Sequence, residues 1–261
     1  MSSTLPIGVF DSGIGGLSIL KKIHQQLPRE SLLYIADSAH APYGLKGEAF
    51  IIERSRHILK FLNSQPVKAV VVACNTATAA AVETLRNENS LPIIGMEPAI
   101  KPAALQTQSG VIGVLATEGT LASDKFVDLK SRFDGKVEII TQPCPGLVEH
   151  IERFQMDLPA IRNLLQEYIR PLVKKGADSL VLGCTHYNFI KGQIREVAGD
   201  AVSIIDTQEA VSNRLASVLK EEDLLSELEG TIHFYSSGDP QYQHKVFSHY
   251  LESNVEVRLF E

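Results

Sequence analysis

Short, continuous apolar runs rich in β-branched residues alternate along this chain with longer stretches that are apolar on one helical face only. The runs fall at residues 7–10, 32–36, 69–73, 93–95, 111–115, 137–140, 179–182, 202–205, 231–235 and 255–259. They lack a two-residue alternation, which predicts strands covered on both faces and hence parallel pairing. The stretches between them, among them 16–27, 48–63, 76–87, 157–175 and 209–220, carry the helical period. A repeated strand–helix order predicts an α/β fold with mostly parallel sheets.

The pattern also repeats itself. Ile7-Gly8-Val9-Phe10, followed by Asp-Ser-Gly, matches Ile112-Gly113-Val114-Leu115, followed by Ala-Thr-Glu-Gly. Val70-Val71-Val72-Ala73-Cys74-Asn75-Thr76 matches Leu180-Val181-Leu182-Gly183-Cys184-Thr185-His186. A third pair links Pro92-Ile93-Ile94-Gly95-Met96-Glu97 to Val202-Ser203-Ile204-Ile205-Asp206-Thr207. Three paired elements in one order predict two similar α/β domains, related by a pseudo-two-fold, and not one long sheet. The third pair marks natural crossing points, so the expected domains are 1–97 plus 207–261, and 98–206. Residues 224–261 have strand–helix–strand character and no partner in the repeat, and are expected to complete the first domain.

Composition narrows the function. At 261 residues, 44% hydrophobic and 21% charged, the chain can bury a substantial core. A net charge of −6 leaves no electrostatic footprint for nucleic acid or an anionic membrane. No apolar run approaches the roughly 18–20 residues of a membrane span. The amino terminus lacks the basic and apolar regions of a secretory signal. Three cysteines with no CxxC pair speak against a disulfide framework and a zinc site, and fit a reducing cytoplasm. The expected protein is cytoplasmic and acts on a small molecule, without nucleic acid or membrane as partner. Its oligomeric state is not legible in the chain, and a homodimer is the assembly to be tested.

Ligands of open parallel sheets bind at the carboxyl ends of strands, where helix N-termini stabilise a thiolate. Both Cys74 and Cys184 fall at such ends, followed by Asn75-Thr76 and Thr185-His186. One strand-end cysteine is more often an inert core residue. Two in matched contexts point to thiols on opposite sides of one substrate, able to take a proton from one face of a carbon and return it to the other. Cys144, in Gln142-Pro143-Cys144-Pro145-Gly146, lacks that context and is structural or adjacent to the site.

Asp11-Ser12-Gly13-Ile14-Gly15-Gly16 follows the first run. Asp11 there can accept from an amine or orient a base; equally, Asp11 or Ser12 can be a helix cap. The glycine pattern is not that of a dinucleotide site, and no P-loop lysine follows. His186 beside Cys184 is a candidate general acid or base. Pro42-Tyr43-Gly44 is a turn, or a rigid wall that sets an aromatic against substrate. Thr117 and Thr120 are caps or carboxylate donors. Glu149, taken alone, is an ordinary surface glutamate. No histidine spacing fits a metal site and no pyridoxal signature is present, so no metal and no cofactor is expected.

Taken together these residues resemble the glutamate racemases of the cofactor-independent aspartate/glutamate racemase superfamily. The likeness runs nearly end to end, through Gly8-Val9-Phe10-Asp11-Ser12-Gly13, Pro42-Tyr43-Gly44, Ala73-Cys74-Asn75-Thr76-Ala77-Thr78, Ala116-Thr117-Glu118-Gly119-Thr120, Leu147-Val148-Glu149 and Gly183-Cys184-Thr185-His186-Tyr187. The resemblance implies two α/β domains with the active site in the cleft between them. It implies two-base interconversion of L- and D-glutamate, supplying D-glutamate for peptidoglycan. Cys74 and Cys184 would be the catalytic acid/bases, the first working on the D and the second on the L enantiomer. Asp11, Glu149 and His186 would tune them. The resemblance also implies substrate contacts from Asp11, Ser12, Pro42, Tyr43, Gly44, Asn75, Thr76, Thr117, Thr120, Thr185 and His186. The chain departs from the family at Ala36-Asp37-Ser38-Ala39-His40-Ala41, where many members read Gly-Asp-Thr-Ala-Arg-Val. Some members answering to a cell-wall precursor carry an amino-terminal extension; the first run here begins at residue 7, so that control is expected to be absent. Two other readings stay open. One is a sibling racemase or isomerase acting on aspartate or another small acid, and the other is a two-domain solute-binding protein.

Overall fold

The computed structural model describes residues 3–261; Met1 and Ser2, with which the amino-terminal reading begins, lie outside the described residues. From the amino terminus the chain forms β1 (Ile7–Asp11), α1 (Leu17–Gln26), β2 (Leu32–Ala36), α2 (Glu48–Ser64), β3 (Ala69–Val72), α3 (Asn75–Glu88) and β4 (Ile93–Ile94). It continues through α4 (Ile100–Gln106), β5 (Val111–Ala116), α5 (Glu118–Leu121), α6 (Asp124–Ser131), β6 (Glu138–Pro143), α7 (Leu147–Glu152), α8 (Pro159–Lys174), β7 (Ser179–Gly183), α9 (Lys191–Ala198) and β8 (Ser203–Ile205). The last elements are α10 (Gln208–Glu221), β9 (Ile232–Ser236), α11 (Pro240–Leu251) and β10 (Val257–Leu259). Two compact units result, Met1–Met96 with Gln208–Glu261, and Glu97–Thr207.

The first unit holds a six-stranded sheet in the order β10-β9-β2-β1-β3-β4, and the second a four-stranded sheet in the order β6-β5-β7-β8. Every pairing in both is parallel. The central strands β1, β2 and β3 are buried along their whole length, as is β7. Burial on both faces is why their sequences read as unbroken apolar runs. Helices cover them with one apolar stripe each. In α2 that stripe is Ile51, Ser55, Ile58, Leu59 and Leu62; in α8 it is Ile161, Leu165, Tyr168, Ile169 and Leu172.

The repeat is visible in the strand orders. Taken in chain order, β1 to β4 and β5 to β8 lie in the same arrangement, second-first-third-fourth. It extends to individual side chains. A methyl added at Gly8 of β1 would lie 2.8 Å from Leu62 of α2, and one at Gly113 of β5 would lie 2.8 Å from Leu172 of α8. In each unit a glycine on the first strand lets a leucine from the corresponding helix sit directly on the sheet, and at Gly113 Leu180 of β7 comes as close, at 2.7 Å.

The first unit departs from the repeat by adding β9 and β10 outside β2. The returning chain is also tied at the amino-terminal ends of the strands. Lys68 is fully buried, pairs with buried Glu30, and donates to Leu224 O at 2.7 Å, while Ser226 N donates to Glu30 Oε1 at 2.9 Å. Among the described residues no helix is long and apolar enough to cross a membrane.

Candidate active site

A parallel sheet whose strand order reverses has a crevice at the carboxyl ends of the two strands where the reversal occurs. In the first unit those strands are β1 and β3, and in the second β5 and β7. Asp11 ends β1, Cys74 follows β3, Thr117 follows β5 and Cys184 follows β7. Each thiol thus stands at the reversal of its own sheet.

In the first unit Cys74 is the N-cap of α3, its Sγ accepting from Ala77 N at 3.4 Å. Its thiol lies 3.7 Å from Ser12 Oγ. The fourteen-residue helix behind it presents a partial positive charge to the sulfur, which favours the thiolate. Asp11 is fully buried, and its Oδ1 accepts from Gly13 N at 2.8 Å. It closes the turn after β1 and does not cap α1, whose N-cap position is Gly16 with no side-chain cap. Asn75 is buried at the first position of α3, and neither its Oδ1 nor its Nδ2 has a partner among the described residues. A buried amide left unsatisfied costs about 1–3 kcal/mol per group, so such a side chain is fitted to something other than the fold. Thr76 beside it is buried as well. Pro42 and Gly44 are half-buried around Tyr43, which shares one core cluster with Cys74. The Tyr43 hydroxyl donates to Asp37 Oδ2 at 2.6 Å.

The second unit surrounds its thiol differently. Cys184 precedes a short 3-10 segment, Thr185–Ile190, and its sulfur takes no cap bond from it. Instead the buried ring of His186 lies against it, Nδ1 at 3.8 Å from Sγ, while Nε2 meets Glu152 Oε1 at 2.5 Å. Burial disfavours the imidazolium, but the Cys184 sulfur and the Glu152 carboxylate outweigh it and hold the His186 pKa well above its ordinary 6.5. The His186 ring therefore lies between the Cys184 sulfur and the Glu152 carboxylate.

Glu152 was not among the residues named from sequence. Glu149, which was, lies half-buried one turn earlier on α7, where its charge bears on Tyr187 and Tyr168. The two glutamates share a face of α7, three residues apart, and only the phase of that helix against His186 separates them. Thr117 caps α5, accepting from Thr120 N at 3.2 Å and donating to Thr120 Oγ1 at 3.0 Å. Thr185 is buried, and its carbonyl accepts from Asn188 Nδ2 at 3.0 Å. Cys144, also buried, donates to Gln142 O at 3.3 Å; burial pushes its thiol pKa up, which keeps it protonated. Among the described residues no group of three or more His, Cys, Asp or Glu is arranged to hold a metal ion.

Comparison with known proteins agrees with this chemistry. The family described as Asp/Glu/Hydantoin racemase matches residues 7–215. The chain is 52% identical over 260 residues to the glutamate racemase of Ectopseudomonas mendocina, covering 99% of each. A crystal structure of a Bacillus anthracis glutamate racemase isoform superposes with a TM-score of 0.90 at 31% identity, over 99% of this chain and 98% of that one. A Francisella tularensis glutamate racemase in complex with D-glutamate gives a TM-score of 0.86 at 31% identity, over 99% and 98%. On its sequence, its strand order and its pair of strand-end thiols, this chain belongs to the Asp/Glu/hydantoin racemase family.

Proposed function

We propose that this chain interconverts L- and D-glutamate by a two-base exchange of the Cα proton, with Cys74 and Cys184 serving opposite faces of the same carbon. The observation that carries the reading is the doubling itself: two sheets of one strand order, each with a buried thiol at its point of reversal. A Cα–H bond in an amino acid is a very weak acid. The sequence carries no pyridoxal signature to supply an electron sink, so on this reading the barrier is lowered by placed bases, fixed donors and exclusion of water. One cysteine acts as thiolate and takes the proton, becoming a thiol. The other acts as thiol and gives its proton to the opposite face, becoming a thiolate. Protons balance, and the pair ends each turnover with its protonation states exchanged.

The surroundings support those states. The N-terminus of α3 favours the Cys74 thiolate. His186, its pKa raised with Glu152 among the causes, stands beside the Cys184 sulfur. We assign Glu152, in place of Glu149, as the carboxylate that sets His186. Asp11, Ser12, Pro42, Tyr43, Gly44, Asn75, Thr76, Thr117, Thr120, Thr185 and His186 are the proposed substrate contacts, with the unsatisfied Asn75 amide the best supported. The product is proposed to feed peptidoglycan synthesis, and the expected setting is the cytoplasm. Membership of a racemase family sets the solute-binding reading aside.

The test is racemisation of each enantiomer in deuterated water by the pure protein, dialysed against a chelator. The expected result is inversion in which product carries deuterium at Cα and residual substrate does not. Failure of a well-folded sample to exchange or invert either enantiomer overturns the reading. Inversion of aspartate in preference to glutamate replaces it with the sibling activity.

A further inference from the structure

Asp37 lies one residue past β2 and plays no part in the chemistry above. Its carboxylate is fully buried, yet it gathers five bonds. Arg54 of α2 forks onto it, Nε to Oδ2 at 3.0 Å and Nη2 to Oδ1 at 2.8 Å. Tyr43 OH donates to Oδ2 at 2.6 Å, His40 Nδ1 meets Oδ1 at 3.0 Å, and Ser237 Oγ donates to Oδ1 at 2.8 Å. Burial raises the carboxyl pKa, but these donors win and hold it below the ordinary carboxylate value. Burial is the largest single influence on this carboxylate, so the Arg54 fork is joined by further donors that meet its remaining lone pairs. The additional partners come from the segment that leads into the Pro42-Tyr43-Gly44 turn, His40 and Tyr43, and from Ser237, the residue after a strand outside the internal repeat.

Ser237 has a double hold. Its Oγ accepts from Ala39 N at 3.1 Å while donating to Asp37, and its own amide donates to Ala36 O at 3.0 Å. It thus fastens both the start of the segment 37–44 and the carboxylate that ends on Tyr43. The second unit has no strand beyond β6, the counterpart of β2. The extra strands of the first unit therefore stand beside the one strand end followed by the Pro42-Tyr43-Gly44 turn.

We propose that Asp37 is a positioning residue for the racemisation and that Ser237, the residue after β9, is its anchor, so that the end of β9 fixes the Pro42-Tyr43-Gly44 turn through the Tyr43 hydroxyl. The inference rests on the reading that this turn contacts substrate. Its chemistry is specific. The buried Tyr43 hydroxyl is kept a donor, because burial first and the Asp37 charge second push its pKa up. It therefore stays committed to Asp37, and its ring is held within the cluster that also contains Cys74.

The test compares KM and kcat for Ser237→Ala, Ser237→Thr, Asp37→Asn, Tyr43→Phe and Gly44→Ala, with Ser237→Ala repeated in the Tyr43→Phe background and unfolding temperatures recorded throughout. Ser237→Ala is expected to raise KM by about five-fold with kcat changed by less than about two-fold, and Ser237→Thr to restore it. Asp37→Asn is expected to raise KM by about ten-fold or more. In the Tyr43→Phe background Ser237→Ala should add nothing, since the connection is already cut. A Ser237→Ala protein with unchanged KM and intact fold, or full additivity with Tyr43→Phe, overturns the inference while leaving the substrate turn standing. An unchanged KM in Tyr43→Phe and Gly44→Ala overturns the substrate-turn reading itself, and the inference with it.

Discussion

Cys74 and Cys184 end the same strand of the same sheet pattern, yet the two units treat the thiol in different ways. The first unit sets Cys74 on the N-terminus of a fourteen-residue helix with a serine hydroxyl beside it. The second offers only a short 3-10 segment and supplies a histidine and a glutamate instead. Backbone dipoles do not titrate, whereas an imidazolium does. The setting of Cys74 is thus built into the backbone, while the group beside Cys184 can itself change charge. One scaffold used twice has yielded one thiol with a fixed neighbour and one with a titrating neighbour.

Removing either thiol is the largest expected change. Cys74→Ala and Cys184→Ala should each lower racemisation on the order of 10⁴-fold. The enantiomers are equal in free energy, so kcat/KM falls alike from both sides. The asymmetry appears in proton NMR in deuterated water. Cys184→Ala should still wash the Cα proton out of D-glutamate without inversion, and Cys74→Ala out of L-glutamate. Normal racemisation in either variant would end the two-base account.

A second comparison separates the thiol with the fixed neighbour from the one with the titrating neighbour. Glu152→Gln removes the carboxylate that helps hold the His186 pKa above 6.5, so the imidazolium is lost at lower pH. The alkaline limb of the kcat/KM profile should move to lower pH, with activity down about 10–100-fold at neutral pH. The same sign governs folding. The stability contributed by a raised histidine is present below its unfolded pKa and lost as pH rises through the folded value, and Glu152→Gln should bring that loss to lower pH. Ser12→Ala, on the Cys74 side, should leave the alkaline limb in place. A limb unmoved by Glu152→Gln, or moved by Glu149→Gln instead, would return the role to Glu149.

Asn75 gives a smaller effect with an unusual direction. Asn75→Ala should raise KM about ten-fold while the protein becomes no less stable, because an unsatisfied buried amide is removed. Thermal unfolding and steady-state kinetics on one preparation check both halves. A drop in stability with KM unchanged would make Asn75 a structural residue. The smallest effect on activity is expected from the shared scaffold. Gly8→Ala and Gly113→Ala should each cost about 1–3 kcal/mol of stability, through the same leucine contact in each unit, with kcat nearly kept. Very different costs would mean the two contacts are not equivalent.

The sheets were legible because buried parallel strands leave an unmistakable run of apolar residues, and all ten runs became strands. The ends moved by a residue or more where packing decides. The run at 137–140 extends as β6 to Pro143, because β6 is an edge strand where a missing amide is tolerated. The strand-end thiols were legible through their matched contexts. Glu152 was not, since choosing between two glutamates on one helical face requires the packing of α7 against His186. Asp37 was not either. A hub fed by Arg54, Tyr43 and Ser237 exists only once residues far apart in sequence have met.

The strand order of the first unit also fixes the order of events at the ribosome. β2 pairs with β1 on one side and with β9 on the other, and β9 is made some two hundred residues later. A growing chain therefore carries β2 as an open edge through the whole synthesis of residues 97–207. Such an edge invites pairing with other chains, and its closure by β9 coincides with delivery of Ser237 to Asp37. The arrival of β9 therefore both closes that edge and brings Ser237 to the turn proposed to hold substrate.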